Sequence, residues 1–223
     1  MTPLILAIDT TREWGSVALA RGETILEEVE IESPDGFAHV VYGQLARLLE
    51  GHRLRPQDVD CFASAAGPGS FTGVRVGLAC IKGLAEACGK PAEAVSNLEA
   101  LASFGSAPLR AAVMDARRGE VYGAVYDAEG RGVSGEVVTP LGSWLATLPE
   151  GEMEFVYAGF ADFRALLAAT RFAGATILAA PKALAAAIAR IAFRRFGRGE
   201  AKDPAALDAN YVRRSDAELF WKE

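Results

Sequence analysis

A glycine-punctuated turn that runs directly into an apolar helix constrains this chain more than any other stretch. It reads Ala66-Gly67-Pro68-Gly69-Ser70-Phe71-Thr72-Gly73-Val74-Arg75-Val76-Gly77. The apolar run before it, 61–66, has the length of a buried strand. After it, Leu78, Ile81, Leu84 and Ala85 recur at helical spacing. Pro68-Gly69 makes a tight turn, and Ser70 or Thr72 offers a side-chain oxygen to the first free N–H groups of the helix. A helix start of this kind also attracts anions. The spacing argues against the commonest phosphate loops. No Lys-Ser or Lys-Thr follows, and Gly67, Gly69 and Gly73 are spaced G-x-G-x-x-x-G rather than G-x-G-x-x-G.

The helix carries two stripes. Val74, Leu78, Ile81 and Ala85 are large or apolar, as a core face requires. Val76, Ala79, Cys80, Gly83 and Ala87 form a second, small-residue stripe. Small side chains let a second helix axis approach to about 8–10 Å or closer. A helix apolar on two sides must bury both. The chain's own first helix covers part of the small stripe, and a partner chain is the candidate for the rest.

The balance of charge narrows the class of partner. Twenty-nine acidic against 23 basic residues leave a net charge of −6, which opposes strong independent binding to nucleic acid. Cys61, Cys80 and Cys88 sit in apolar contexts and form no C-x-x-C pair, so reduced, buried thiols and a reducing compartment are expected. No basic-then-apolar leader precedes Leu4, and no segment approaches the roughly 20 apolar residues that span a bilayer. A cytoplasmic protein without membrane contact is the expectation.

Taken in order, the chain opens with strands at 4–8, 14–20 and 24–32, joined by polar Asp9-Thr10-Thr11 and the hairpin turn Arg21-Gly22-Glu23. A helix over 37–50 follows, with Val41, Leu45 and Leu48 on one face and Ala38, Tyr42 and Leu49 widening it. The strand at 61–66, the helix to Cys88, a strand at 92–95 and a helix at 97–104 complete a β-β-β-α-β-α-β-α order. That order is a three-strand meander extended by crossovers. Gly105-Ser106-Ala107-Pro108 marks a boundary. Beyond it the plan starts again: the apolar strand 111–114 ends at Asp115 as 4–8 ends at Asp9, and strands at 119–127 and 132–139 follow. Helices near 141–148, 160–169 and 181–196 alternate with strands at 155–158 and 176–179. The expected division is a first lobe over 1–104, a smaller second lobe over 105–203, and a tail, about 204–223, docked back on the first lobe through Phe220-Trp221.

Candidates for chemistry are few. Asp9 and Asp115 are placed to flank a cleft and hold a metal–phosphate group. His39 lies on a helix with Gly43 four residues on, so no His-x-x-x-His ligand pair forms there. His52 has no evident partner. Arg190, Arg194, Arg195 and Arg198 gather at a helix C-terminus, where they favour the macrodipole. Contact with RNA or an acidic partner is the sharper alternative for that cluster.

Four blocks then carry a resemblance. Leu6-Ala7-Ile8-Asp9-Thr10-Thr11, the 67–77 glycine block, Ser96-Asn97-Leu98-Glu99-Ala100-Leu101 and Asp115-Ala116-Arg117-Arg118-Gly119-Glu120-Val121-Tyr122 occur in this order. Together they resemble the bacterial TsaB (YeaZ) family over residues 4 to about 127, with an echo in Tyr211-Val212-Arg213. The resemblance implies an α/β protein of the actin-like/Hsp70-like ATPase fold. Each of its two RNase-H-like lobes would hold a mixed sheet, a meander plus parallel strands, flanked by helices. It implies a role in forming N6-threonylcarbamoyladenosine at position 37 of tRNA (t6A37). The chain would act as a non-catalytic activating subunit that pairs with the catalytic TsaD, with the TsaE ATPase joining the pair.

Asn97 and Leu101 stand where TsaD-like proteins carry a His-x-x-x-His metal pair, so no metal and no cofactor of its own are expected. ATP would be used by the complex, and tRNA met only within it. Partner-binding residues would be Val41, Leu45, Val76, Ala79, Cys80, Gly83 and Ala87, on helices 37–50 and 71–88, with a homodimer when alone. Asp9, Thr10 and Thr11 would be a vestigial nucleotide-binding segment. The alternative is an independently active ATPase or peptidase-like member of the same fold.

Overall fold

The computed structural model describes residues 2–213; the expected docking of Phe220 and Trp221 falls outside them. The described residues form two compact units, 2–100 with 181–209, and 101–180 with 210–213.

In the first unit, β1 (Leu4–Asp9), β2 (Trp14–Arg21) and β3 (Thr24–Glu32) make an antiparallel meander. Two strands, β4 (Cys61–Gly67) and β5 (Ala92–Ser96), add to the β1 edge in parallel, giving the order β3-β2-β1-β4-β5. The central strands are apolar almost throughout because both faces are covered. Leu4, Leu6 and Ile8 point to one face, where they meet α1 (Val41–Gly51) and α2 (Phe71–Cys88) around Val17, Leu19 and Phe62. Ile5 and Ala7, of opposite parity, are equally buried. Helix α6 (Ala185–Gly197) packs against β1, β2, β4 and β5, presenting buried Ala185, Ile188, Ala189 and Ala192.

This corrects the expected division, which put 181–203 in the second lobe. The physical reason is visible at both helix ends. Ser16 on β2 accepts hydrogen bonds from the N–H groups of Leu184 and Ala185 at 3.1 and 3.0 Å, and Glu28 on β3 accepts from Ala186 at 2.7 Å. These satisfy the free donors of the helix start. Near the other end, Arg195 pairs with Glu93 on β5 and with Glu99 on α3 (Asn97–Ala102). The tail is also divided. Lys202 exchanges backbone hydrogen bonds with Ala92, and Leu207 is buried in the first unit's core. Asn210 and Arg213 instead bond to Glu136, Ala116 and Glu120 of the second unit.

The second unit repeats the plan. Strands β6 (Leu109–Asp115), β7 (Glu120–Asp127) and β8 (Val137–Pro140) are antiparallel. A parallel pair, β9 (Met153–Ala158) and β10 (Thr176–Ala179), extends the sheet on the β6 side, giving β10-β9-β6-β7-β8. Read from the meander's third strand, both sheets therefore run 3-2-1-4-5, so the faint internal repeat is a repeat of topology. Trp144 and Leu145 of α4 (Leu141–Thr147) and Phe163 and Leu167 of α5 (Phe163–Leu167) cover one face around Phe155. The expected strand at 132–139 is shorter. Val133 and Ser134 N–H groups turn back to the Val125 carbonyl, so regular pairing starts only at Val137.

Candidate functional site

The end of β1 and the start of α2 meet at atomic contact. Asp9, Thr10 and Thr11 are at most 1% exposed. Asp9 Oδ1 accepts from Thr11 N at 2.9 Å and from Thr11 Oγ1 at 2.6 Å. Thr10 Oγ1 donates to the Gly73 carbonyl at 2.7 Å, and Ser70 N donates to the Thr11 carbonyl at 2.7 Å. Ser70 caps the helix by accepting from Gly73 N at 3.2 Å. This closeness is why the motif needs its glycines. A Cβ at Gly73 would overlap the Thr10 carbonyl oxygen, and one at Gly69 would sit 2.5 Å from the Thr11 carbonyl oxygen. The glycine block is thus a packing motif that lets a helix N-terminus rest on the β1–β2 turn.

Asn97 completes the network. Its Nδ2 donates to Thr11 Oγ1, and its Oδ1 accepts from Gly67 N at 3.2 Å. Both ends of the amide are spent on the fold. Leu101, one turn on, is fully buried and offers no donor atom. These two side chains do not make a histidine-type metal pair: one has no donor atom and the other is engaged in hydrogen bonds. Among the described residues no cluster of three or more His, Cys, Asp or Glu has metal-holding geometry.

The second candidate region is the outer surface of α1 and α2. Of the expected partner residues, Val41, Leu45 and Cys80 are 1–3% exposed and belong to the first unit's own core. They are corrected here: these side chains of α1 and α2 share one apolar cluster with the sheet, which takes up that side of both helices. Burial pushes the Cys80 thiol up to about 11, against an opposing hydrogen bond with Tyr42. Val76 is half-buried, whereas Ala79, Gly83 and Ala87 are exposed. With Phe71 and Arg75 they make a row at four-residue intervals, one ridge of the helix. The Arg75 guanidinium lies 3.7 Å over the Phe71 ring. Tyr42, expected on the buried face of α1, is 54% exposed beside this ridge. The sequence reading missed Phe71 and Arg75, although the i, i+4 spacing from Ala79 was a signal for them.

The remaining candidates resolve into structural roles. Arg190 donates to the Glu23 carbonyl, Arg194 pairs with Glu23, Arg195 with Glu93 and Glu99, and Arg198 with Glu200. The basic cluster is spent within its own unit. His52 has a partner after all, Glu27 at 2.8 Å, and His39 is exposed. Asp115 accepts from Arg117 N at 2.8 Å in a turn where Arg117 and Arg118 have left-handed backbones, φ 65° and 57°.

Two sheets of identical order, each a meander with parallel additions and flanking helices, define the actin-like/Hsp70-like ATPase fold built from RNase-H-like lobes. Residues 37–206 match the family model of TsaD, tRNA N6-adenosine threonylcarbamoyltransferase. The chain is 35% identical to the Bacillus subtilis tRNA threonylcarbamoyladenosine biosynthesis protein TsaB over 161 residues, 70% of each chain. Against TsaB from Escherichia coli and Haemophilus influenzae the match spans 57% and 51% of the relative. A Pseudomonas aeruginosa structure, described as similar to the peptidase YeaZ, superposes with a TM-score of 0.78 at 27% identity, over 95% of this chain and 100% of that one. The chain belongs to the TsaD family, and within it to the TsaB (YeaZ) group. Among the described residues no helix is long and apolar enough to cross a membrane.

Proposed function

We propose that this chain is a non-catalytic activating subunit in the formation of t6A37 in tRNA. It pairs with TsaD through the exposed surface of α1 and α2, is joined by TsaE, and meets tRNA only inside that complex, in the cytoplasm. The observation that carries the reading is the state of the β1 end. Asn97 and Leu101, which the resemblance sets where TsaD-like proteins carry a metal-binding histidine pair, are an amide hydrogen-bonded to Gly67 and Thr11 and a buried leucine. Neither residue is a metal ligand of the histidine kind, which supports a chain without a cofactor of its own, and we assign the use of ATP to the complex. The ridge Phe71, Arg75, Ala79, Gly83 and Ala87, flanked by Tyr42 and Val76, is the surface that a partner helix would cover, and a second copy would cover it in the free protein. The internal pairing of the α6 arginines and the net charge of −6 support the absence of tRNA affinity in the lone chain.

The test is reconstitution with TsaD and TsaE of the same organism. Modified tRNA is expected only when this chain is present, and ATP turnover by the chain alone is expected to equal that of Asp9→Ala. The second reading is an independently active ATPase or peptidase, which the description of the P. aeruginosa relative as similar to a peptidase favours. ATP or peptide hydrolysis by the lone chain, abolished in Asp9→Ala, would establish it instead.

A further inference from the structure

We propose that Arg12 is the resident cation of Asp9, a guanidinium that closes the β1–β2 turn in place of a divalent metal. Asp9 is fully buried, and only one of its oxygens is served by hydrogen bonds, both from Thr11. Its Oδ2 is buried without a hydrogen-bond partner. A carboxylate in that position is tolerated only beside a compensating charge. Among the described residues the cation at ion-pair distance is Arg12, with Nε 3.6 Å from Oδ2 and a side chain 15% exposed. That Nε is itself buried and has no hydrogen bond, so the two orphaned groups face each other.

The rest of the guanidinium is held in place. Nη2 donates to the Lys182 carbonyl at 2.6 Å and reaches the Pro181 carbonyl at 3.5 Å. Lys182 in turn places its Nζ 3.5 Å over the Trp14 ring. Arg12 therefore ties three things together: the carboxylate, the β1–β2 turn and the segment leading into α6. A fixed planar fork does this, whereas the compact ammonium of a lysine would not reach both sides at once. The polar side chains around Asp9 are already engaged. The Thr10 hydroxyl is bonded to Gly73, the Thr11 hydroxyl to Asp9, and the Asn97 amide is used at both ends. A divalent ion would also meet the repulsion of Arg12 itself. The closure of this turn is therefore built into the chain and independent of metal.

The experiment uses the full chain and Mn2+ as the probe. Wild type, Arg12→Gln, Asp9→Asn and the double variant are titrated with Mn2+, following the free ion by EPR, and melted with and without Mn2+. Wild type is expected to bind no Mn2+ at millimolar concentration and to melt at the same temperature in either condition. Arg12→Gln should melt about 5 °C or more lower, since it strands Asp9 as a lone buried charge. The double variant should melt above Arg12→Gln, because the stranded charge is gone. Stoichiometric Mn2+ binding by wild type, lost in Asp9→Asn, overturns the inference. So does a double variant that melts no higher than Arg12→Gln. If Arg12→Gln alone does not fold, recovery of a folded chain in the double variant supports the same coupling, and failure to recover it overturns it.

Discussion

Gly83 gives the sharpest test of where a partner sits. It lies mid-way along α2 on the exposed ridge, and a Cβ added there would meet only the Tyr42 hydroxyl oxygen, at 4.0 Å. Glycine in a helix interior costs roughly 0.8–1 kcal/mol relative to alanine, while arginine is close to alanine. The folded chain therefore forgoes about 1 kcal/mol at a position where none of its own contacts demands glycine. Gly83→Arg should raise the stability of the isolated chain by roughly 0.5–1 kcal/mol, a gain of about 1–4 °C in Tm for a chain of this size. The same side chain should weaken pairing. A guanidinium driven into a helix seam without a counter-charge costs about 3–5 kcal/mol, and reaching the rim of the seam reduces this. A loss of at least about 2 kcal/mol, near thirtyfold in Kd, is expected. Gly83→Ala separates the two effects, since it carries the propensity gain with one methyl group. The measurements are thermal melting by circular dichroism, sedimentation for self-association, and titration against TsaD. A stable Gly83→Arg chain that still binds TsaD normally would refute the placement of the seam. A chain that unfolds would refute the claim that Gly83 faces outward.

Two further outcomes follow from the network. Gly73→Ala should force the first turn of α2 off Thr10 and Thr11, costing at least about 2 kcal/mol, because the new Cβ overlaps the Thr10 carbonyl oxygen and lies 3.1 Å from Thr11 Cα; an unchanged urea midpoint would contradict this. Burial raises the Glu93 carboxyl above its ordinary 4.5, against the pull of Arg195. The folded chain thus keeps a proton that the unfolded chain has released, so stability falls as pH rises from about 4.5 through the raised value. Glu93→Gln should flatten that fall in a series of urea unfolding curves, and equal slopes for both proteins would count against it.

The parts of this fold legible from sequence are those fixed by short-range pattern. Apolar runs ending in Asp9 and Asp115, the hairpin at Gly22 and the glycine block before α2 each declare themselves within a dozen residues. What a helix covers is not local information. The 181–196 segment reads as amphipathic wherever it docks. Its true place is decided by Ser16 and Glu28, a serine inside an apolar strand and a glutamate on an acidic one, neither of which announces a cap 160 residues away. The small stripe of α2 shows the same limit. Periodicity identifies neighbouring rows on the helix, yet only the packing of α1 decides that Cys80 turns inward and Ala79 outward.

The two aspartates show what sequence and topology together leave open. Asp9 and Asp115 end the first strands of two sheets with the same strand order, and both accept a hydrogen bond from the backbone N–H two residues on. Their surroundings then part. Asp9 is sealed under the start of α2, so its charge needs the Arg12 guanidinium and its loop becomes part of the core. Asp115 is only half-buried and heads a turn in which two successive arginines take left-handed backbones. Water screens its charge, so it needs no resident cation. One position in a repeated plan is thereby a buried charge pair in the first unit and a turn cap in the second. The start of α2 packs on Thr10 and Thr11 beside the first aspartate, whereas the Gly159 turn lies against the second.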